Sequence, residues 1–191
     1  MKERALITGG AGFIGAYLAR ELLDHGYRVR VLDNLIPQVH GARRQRPGYL
    51  SAEVELRRGD IRDRDAVTAA LDGVDVVFHY AAAVGVGQSM YQIAHYTEVN
   101  NLGTAVLLEA LAENPVRRLV VASSMSLYGE GQYRSVAGEP QPARRTREQL
   151  HRREWEPVDS DGEPLIPMPT AETKAPDLAS VYALSKFDQE Q

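Results

Sequence analysis

The sequence predicts a doubly wound α/β fold, a parallel sheet with helices on both faces. Three observations predict it. Short apolar runs alternate with amphipathic helical stretches along the first two-thirds of the chain, a glycine-rich turn joins the first run to the first helix, and an acidic residue closes the second run. The strands expected are Leu6–Thr8, Arg28–Leu32, Val54–Arg57, Val74–Phe78 and Leu119–Ala122; the helices are Phe13–His25, Asp65–Leu71, Ile93–Glu113 and a tail from Asp177.

The composition bounds what such a fold could serve. A chain of 191 residues that is 43% apolar can bury one good core, which sets one domain as the prior. A formal charge of −4 argues against a nucleic-acid surface, which would need a clustered basic face. The absence of cysteine removes disulfides, thiolate metal sites and cysteine nucleophiles, and is compatible with a reducing cytoplasm. No apolar run approaches the roughly 18 residues of a membrane span. The chain opens directly on a strand without a signal-peptide pattern.

The first strand, within Arg4–Ile7, runs into Thr8-Gly9-Gly10-Ala11-Gly12-Phe13-Ile14-Gly15. Glycine there permits positive φ and a close approach of a ligand to the backbone. The following helix, opening at Phe13 and Ile14, offers free N–H groups and the positive end of its dipole to a pyrophosphate. Strand before, helix after and Asp33 at the end of the second strand make this the Rossmann-type dinucleotide fingerprint rather than a plain βα turn. A carboxylate at Asp33, beside Asn34, can accept both hydroxyls of an adenosine ribose and would repel a 2′-phosphate, which favours NAD over NADP. The arginines that follow, Arg43, Arg44 and Arg46, lie in a polar stretch, Asn34–Leu50, expected to be a solvated surface loop.

Further along, Gly59-Asp60-Ile61-Arg62-Asp63 follows the third strand, where Asp60 or Asp63 can cap the next helix. Phe78-His79-Tyr80-Ala81-Ala82-Ala83 ends the fourth strand in small side chains that let backbone lie close to a cofactor; His79, without metal partners at any recognisable spacing, is expected to pack in the core. Asn100, inside the long helix, is a poor helix former that wants a reason, whereas Asn101 is expected to face solvent. Ser123 and Ser124 follow the fifth strand at its carboxyl end, where ligands bind in open α/β sheets. Tyr182 and Lys186, four apart on a helix, share one face. A tyrosine near pKa 10 needs help to act as a base at neutral pH, and a neighbouring ammonium supplies it.

The spacing Gly9-x-x-Gly12-x-x-Gly15, with Asp33, Ser124, Tyr182 and Lys186 in that order, resembles the extended short-chain dehydrogenase/reductase family, the NAD-dependent nucleotide-sugar epimerases and dehydratases. The resemblance runs from Lys2 to about Tyr133 and from Pro167 to Gln191. It implies that Asp60 and Ile61 border the adenine, that Tyr80, Ala81 and Ala82 lie along the cofactor, and that Asn100 supports the active-site network through the core. It also implies a catalytic triad of Ser124, Tyr182 and Lys186, with Lys186 donating to the nicotinamide ribose. The 4,6-dehydratases of that family place an Asp-Glu pair directly after the catalytic Ser or Thr; here those positions are Met125 and Ser126. The expected activity is therefore 4-epimerisation of a nucleotide-diphosphate sugar, with a keto-sugar reductase, a dehydratase or a non-catalytic NAD-binding module as alternatives. The resemblance further implies a homodimer in which Ile93–Glu113 and the Tyr182 helix, carrying Leu107, Leu108, Leu111 and Leu184, pair into a four-helix bundle.

Two features depart from the family pattern. Tyr128 and Tyr182 stand 54 positions apart, more than the resemblance implies, and the extra piece is about Gln132–Ile166. It is rich in Pro and Arg, with a short helix expected over Ala143–Glu154 and a turn at Asp159-Ser160-Asp161-Gly162. A long insertion beside a site is either a lid or a surface loop. It resembles one found among 4-epimerases of deoxythymidine-diphosphate 6-deoxysugars, some with cysteine pairs; this chain has none, so no zinc knuckle is expected. The chain also stops five residues after Lys186, and a C-terminal substrate-binding domain is expected beyond residue 191, leaving 1–191 as the NAD-binding domain.

Overall fold

A computed structural model describes residues 2–191. They form two compact units, 2–124 with 180–191, and 125–179. The first unit is built on β1 (Arg4–Thr8), β2 (Arg28–Asp33), β3 (Glu55–Arg58), β4 (Val76–His79) and β5 (Arg118–Val121), all parallel in the order β3-β2-β1-β4-β5. Ala5 lies between Val29 and Val76, and Thr8 between Leu32 and His79. The order reverses between β1 and β4, so a crevice opens there at the carboxyl ends of the strands.

Alternation along β1 builds two cores from one strand. Ala5 and Ile7 pack with Val29, Val31 and the residues Ala19 and Leu22 of α1 (Phe13–Asp24). Leu6 points the other way and packs with Leu32 and Val77, with Val67 and Ala70 of α3 (Arg64–Leu71) and with Leu107 and Ala110 of α6 (Gly103–Glu113). Helices cover both faces, as the alternation of elements predicts. Asp63 caps α3, its carboxylate accepting from the amides of Asp65 (3.0 Å) and Ala66 (3.2 Å).

Three expectations change here. The Asn34–Leu50 stretch is largely exposed, as expected of a surface loop, but it contains a helical turn, α2 (Pro37–His40), and is pinned at several points. Leu35 and Leu50 are buried, Arg44 donates to the carbonyls of Asn34 (2.7 Å) and Leu35 (3.1 Å), and Arg46 donates to those of Ser51 and Val54. The long helix expected over Ile93–Glu113 follows a short α4 (Val86–Ser89) and consists of α5 (Ile93–Tyr96), a π-helical turn (Thr97–Leu102) and α6. Such wide turns favour functional positions, and this one holds Asn100. Leu107 faces the core, fully buried, so of the leucines expected on the pairing surface only Leu108 and Leu184 are about half exposed.

The second unit begins with a 3₁₀ turn (Met125–Tyr128) and carries a small antiparallel sheet, β6 (Gln132–Arg134), β7 (Pro140–Gln141) and β8 (Ile166–Met168), in the order β7-β6-β8. Strands of two or three residues leave no legible period, so the sequence reading misses them. The helix expected over Ala143–Glu154 is shorter: α7 (Arg147–Arg152) starts at a capping box of Thr146 and Gln149 and stops at Arg153, which is left-handed at φ +64°. The expected turn is present, with Gly162 at φ +84° and the Asp159 carboxylate accepting from the amides of Asp161 and Glu163. The last helix, α8 (Val181–Glu190), belongs to the first unit and starts later than Asp177, because Ser180 caps it by accepting from the amide of Ala183 (3.0 Å).

Candidate active site

The glycine turn is shaped by two kinds of demand. Gly9 has φ +68°, and a Cβ there would sit 2.7 Å from the amide nitrogen of Ala81. A Cβ on Gly15 would sit 2.5 Å from the Cα of Gly10, so both residues are required by packing. Gly12 differs: a Cβ would meet only the carbonyl of Gly9, at 3.3 Å. That contact is tight and with backbone, but no other heavy atom beyond its chain neighbours lies within 4 Å of the added Cβ, and the helix Gly12 opens has no side-chain cap over its first amides, at Phe13 and Ile14. That is a cradle a side chain would fill, aimed by a helix N-terminus, and it fits a dinucleotide pyrophosphate. Tyr49, from the stretch read as loop, donates its hydroxyl to the carbonyl of Ala11 (2.7 Å) and fixes the turn from outside.

Asp33 closes β2 beside this cradle. One carboxylate oxygen accepts from the amide of Ala11 (3.0 Å) and the other from that of Leu35 (2.8 Å). The pair locks the glycine turn to β2 and uses two of about four acceptor positions, and His40 Nε2 lies 3.6 Å from Oδ1. Asn34 donates to Asp60 (3.1 Å), and Arg62 grips the same carboxylate through its Nε (2.9 Å), Nη2 (2.9 Å) and amide (3.0 Å). Arg62, then Asn34, holds the Asp60 carboxyl far below the usual range against the opposing effect of burial. Asp60 is thus a fixed anion rather than a helix cap. Ile61 is buried against Gly103.

At the end of β4, Thr8 Oγ1 accepts from the amides of Tyr80 (3.2 Å) and Ala81 (3.1 Å), drawing this backbone against Gly9; Ala82 follows. Ala83 is held by Asn100, whose Oδ1 accepts from its amide (2.8 Å) and whose Nδ2 donates to its carbonyl (3.1 Å) and to Ser185 Oγ (2.9 Å). Asn100 is fully buried and ties β4's extension to α8, a placement that suits the support expected of it. Asn101 faces solvent only in part: its amide donates to Asp188 at the surface, while its Oδ1 is buried with no partner among the described residues.

On α8, Tyr182 and Lys186 share a face. The Tyr182 amide donates to Ser89 Oγ (3.0 Å), and its ring meets Tyr96 edge-on at 6.4 Å. Lys186 is buried, 3% exposed, and donates to Gln189. Burial pushes its amine down to about 8, with Glu190 pulling the other way. Ser123 and Ser124 follow β5 at the same carboxyl edge of the sheet, Ser123 exposed and Ser124 half-buried.

His79 is a packed core residue, as expected, 1% exposed between Thr8 and Thr104. Burial, then the charge of Lys186, pushes its ring down to about 4. Unfolded, it would take a proton near its ordinary 6.5. The unfolded chain therefore binds the extra proton between these values, so stability is complete above pH 6.5 and falls as pH drops toward 4. The expected loss approaches about 3 kcal/mol. Urea midpoints measured across that window should decline while the His79 ring resonance stays unprotonated; a ring titrating at its ordinary pKa would contradict the burial argument.

A Rossmann-type sheet with this glycine spacing and a Tyr-x-x-x-Lys helix is the build of an extended short-chain dehydrogenase/reductase. Residues 5–151 match the NAD dependent epimerase/dehydratase family, and the chain belongs to it. It is 35% identical to the dTDP-L-rhamnose 4-epimerase of Burkholderia thailandensis over 98% of this chain and 52% of that protein. It is 38% identical to the UDP-glucose 4-epimerase of Drosophila melanogaster over 70% of this chain and 41% of that one. Among solved structures, the UDP-glucose 4-epimerase of Thermus thermophilus in complex with NAD superimposes with a TM-score of 0.69 at 32% identity, over 98% of this chain and 48% of that chain. The chain thus spans about half the length of these relatives.

Sequence reasoning missed Tyr49, Ser89, Thr104, Ser185 and Gln189. Thr104 and Ser185 stand inside the motifs read for other residues. Gln189, three past Lys186, falls on the same helix face and was the legible one.

Proposed function

We propose that the protein is an NAD-dependent nucleotide-sugar 4-epimerase. The observation that carries this is the pair on α8, Tyr182 with Lys186 one turn behind it and buried, on a domain whose Gly12 and Asp33 suit a dinucleotide. NAD supplies a hydride acceptor that can return the hydride to the other face of the same carbon. Tyr182 takes the proton from the C4 hydroxyl. Ser124 donates a hydrogen bond to that oxygen as it becomes a carbonyl. Lys186 donates to the nicotinamide ribose beside Tyr182. Asp33 accepts from the adenosine ribose, the first-turn amides at Phe13 and Ile14 cradle pyrophosphate, and Asp60, Ile61 and Tyr80–Ala82 line the adenine side and the cofactor's path. Met125 and Ser126, in place of acid groups, leave no carboxylate there for water elimination.

The names of the relatives support a sugar joined to UDP or dTDP as substrate. Incubating the full-length protein with UDP-glucose and with dTDP-L-rhamnose, without added NADH, is expected to yield the C4 epimer of one of them. Net consumption of NADH with a keto-sugar would assign it to the reductases instead. We further propose a cytoplasmic homodimer; no helix among the described residues is long and apolar enough to cross a membrane. Ile93, Leu102, Leu108 and Leu184, each about half exposed, suit the pairing surface. Light scattering on the same preparation should give twice the chain mass, and a monomer at micromolar concentration would overturn the pairing.

A further inference from the structure

Behind Lys186 lies a buried polar chain whose hydrogens can be assigned one at a time. Thr8 Oγ1 already accepts from two amides, so its own O–H donates to His79 Nδ1 (2.7 Å). That leaves the ring hydrogen on Nε2, which donates to Thr104 Oγ1 (2.9 Å). Thr104 in turn donates to the carbonyl of Asn100 (2.6 Å). The Gln189 amide nitrogen donates to both Thr104 Oγ1 (2.5 Å) and the Asn100 carbonyl (3.2 Å). Its 3.4 Å approach to His79 Nε2 then sets two donors side by side and is not a bond. The opposite orientation of the amide would turn its oxygen onto the Asn100 carbonyl, so only one orientation satisfies the site. In that orientation Gln189 Oε1 faces Lys186 and accepts from its Nζ.

We infer that Gln189 is a positioning residue for Lys186, an uncharged acceptor that aims the buried ammonium while leaving its charge intact. The inference rests on the role proposed for Lys186, donor to the cofactor ribose and helper of Tyr182. An ammonium has three N–H donors; with one fixed by Gln189, two remain in defined directions for a ligand. A carboxylate at position 189 would also accept from the lysine, but it would offset the ammonium's charge and turn an oxygen onto the Asn100 carbonyl. A neutral amide aims without that cost. Its own rotation is blocked by Thr104, which His79 and Thr8 anchor to β4 and β1, and by the carbonyl of Asn100, a residue that Ala83 holds. Lys186 is thereby set by strands at the floor of the crevice as well as by its own helix. The charged and titratable groups that bear on it are His79 from β4 and Glu190 from α8.

Two variants of the full-length protein test this, Gln189→Leu and Gln189→Glu. The readouts are the NMR titration of the Lys186 side chain, calorimetric NAD affinity, and the pH dependence of turnover. In Gln189→Leu, NAD affinity should fall about tenfold through loss of the aimed donor, and the rate limb governed by Lys186 should move. In Gln189→Glu, which keeps the acceptor for Nζ but loses the donors to Thr104 and Asn100, the Lys186 titration should move up by about one pH unit or more from its value near 8. A Gln189→Leu protein that keeps the parent's lysine titration, NAD affinity and pH profile would overturn the inference. Should that variant fail to fold, the Glu variant still decides: an unmoved lysine titration overturns the coupling, and a raised one supports it. Lysine titration and NAD affinity are read whatever reaction the protein performs, so a failure here is distinct from a failure of the epimerase assignment.

Discussion

Replacing Tyr182 with Phe is expected to lower turnover about a thousandfold, within the usual range for removing a general acid–base group, while NAD affinity and melting temperature stay close to the parent's. This residue is held by its backbone amide to Ser89 and by its ring edge against Tyr96, and its carbonyl accepts from Ser185 Oγ. None of these uses the phenol oxygen, so the Phe ring should occupy the same place. Steady-state kinetics, calorimetry and a melting curve on one preparation separate the chemical loss from a structural one. If the variant kept a tenth or more of the parent's rate, another group would be the base and the proposed epimerase mechanism would fall. Lys186→Met provides the companion result. It should also abolish turnover, yet raise stability at neutral pH, because a lysine pushed down to about 8 by burial opposes folding as long as it is charged. That penalty is full below pH 8 and relieved between 8 and its ordinary 10.5.

Cofactor choice should differ about a hundredfold in favour of NAD over NADP, since each 1.4 kcal/mol is tenfold and the expected difference is about 3 kcal/mol. The Asp33 carboxylate is expected to accept from the ribose hydroxyls, with His40 Nε2 yielding its 3.6 Å approach, and a 2′-phosphate would meet its charge at contact distance. An opposing idea is that an arginine of the following loop receives the phosphate. Arg44 does turn back over this region, but its guanidinium is committed to the carbonyls of Asn34 and Leu35. Binding a phosphate would strip those carbonyls of their donors. Asp33→Ala should narrow the gap mainly by weakening NAD, and it should weaken NADP as well, because the amides of Ala11 and Leu35 lose their acceptor and the glycine turn loosens. Equal affinities of the parent for the two cofactors, by calorimetric titration, would refute the Asp33 argument.

The parts of this molecule that could be read in advance are those where one local signal suffices. Gly9, Gly12 and Gly15 occur where strand period gives way to helix period, and Asp33 stands at a strand end, so the cradle was legible without any contact being known. The π turn was not, because Thr97–Leu102 has an ordinary helical pattern and Asn100 within it meets Ala83, a partner 17 residues earlier that no local signal reveals. Gln189 could be placed on the Lys186 face from its spacing, but its other partners, which lie 85 and 89 residues away, could not. Arg44 misled for a related reason: charge suggests solvent, yet a planar guanidinium can serve as a staple for loop carbonyls. The sheet of the second unit was hidden by brevity alone.

Because α8 follows every other described element, the order in which the chain leaves a ribosome bears on how the crevice matures. The five parallel strands and their helices are complete by Val121, and N-terminal parts fold first during synthesis. At that stage Asn100 lacks Ser185, and Thr104 and the Asn100 carbonyl lack Gln189. Polar groups in that condition keep water, since drying them unpaired would cost about 1–3 kcal/mol each. The nascent domain therefore carries a wet slot between β4 and the π turn through the whole translation of residues 125–179. Arrival of α8 expels that water and delivers the lysine in the same event. Closure of the apolar core and charging of the site are thus separated in time by the length of the second unit.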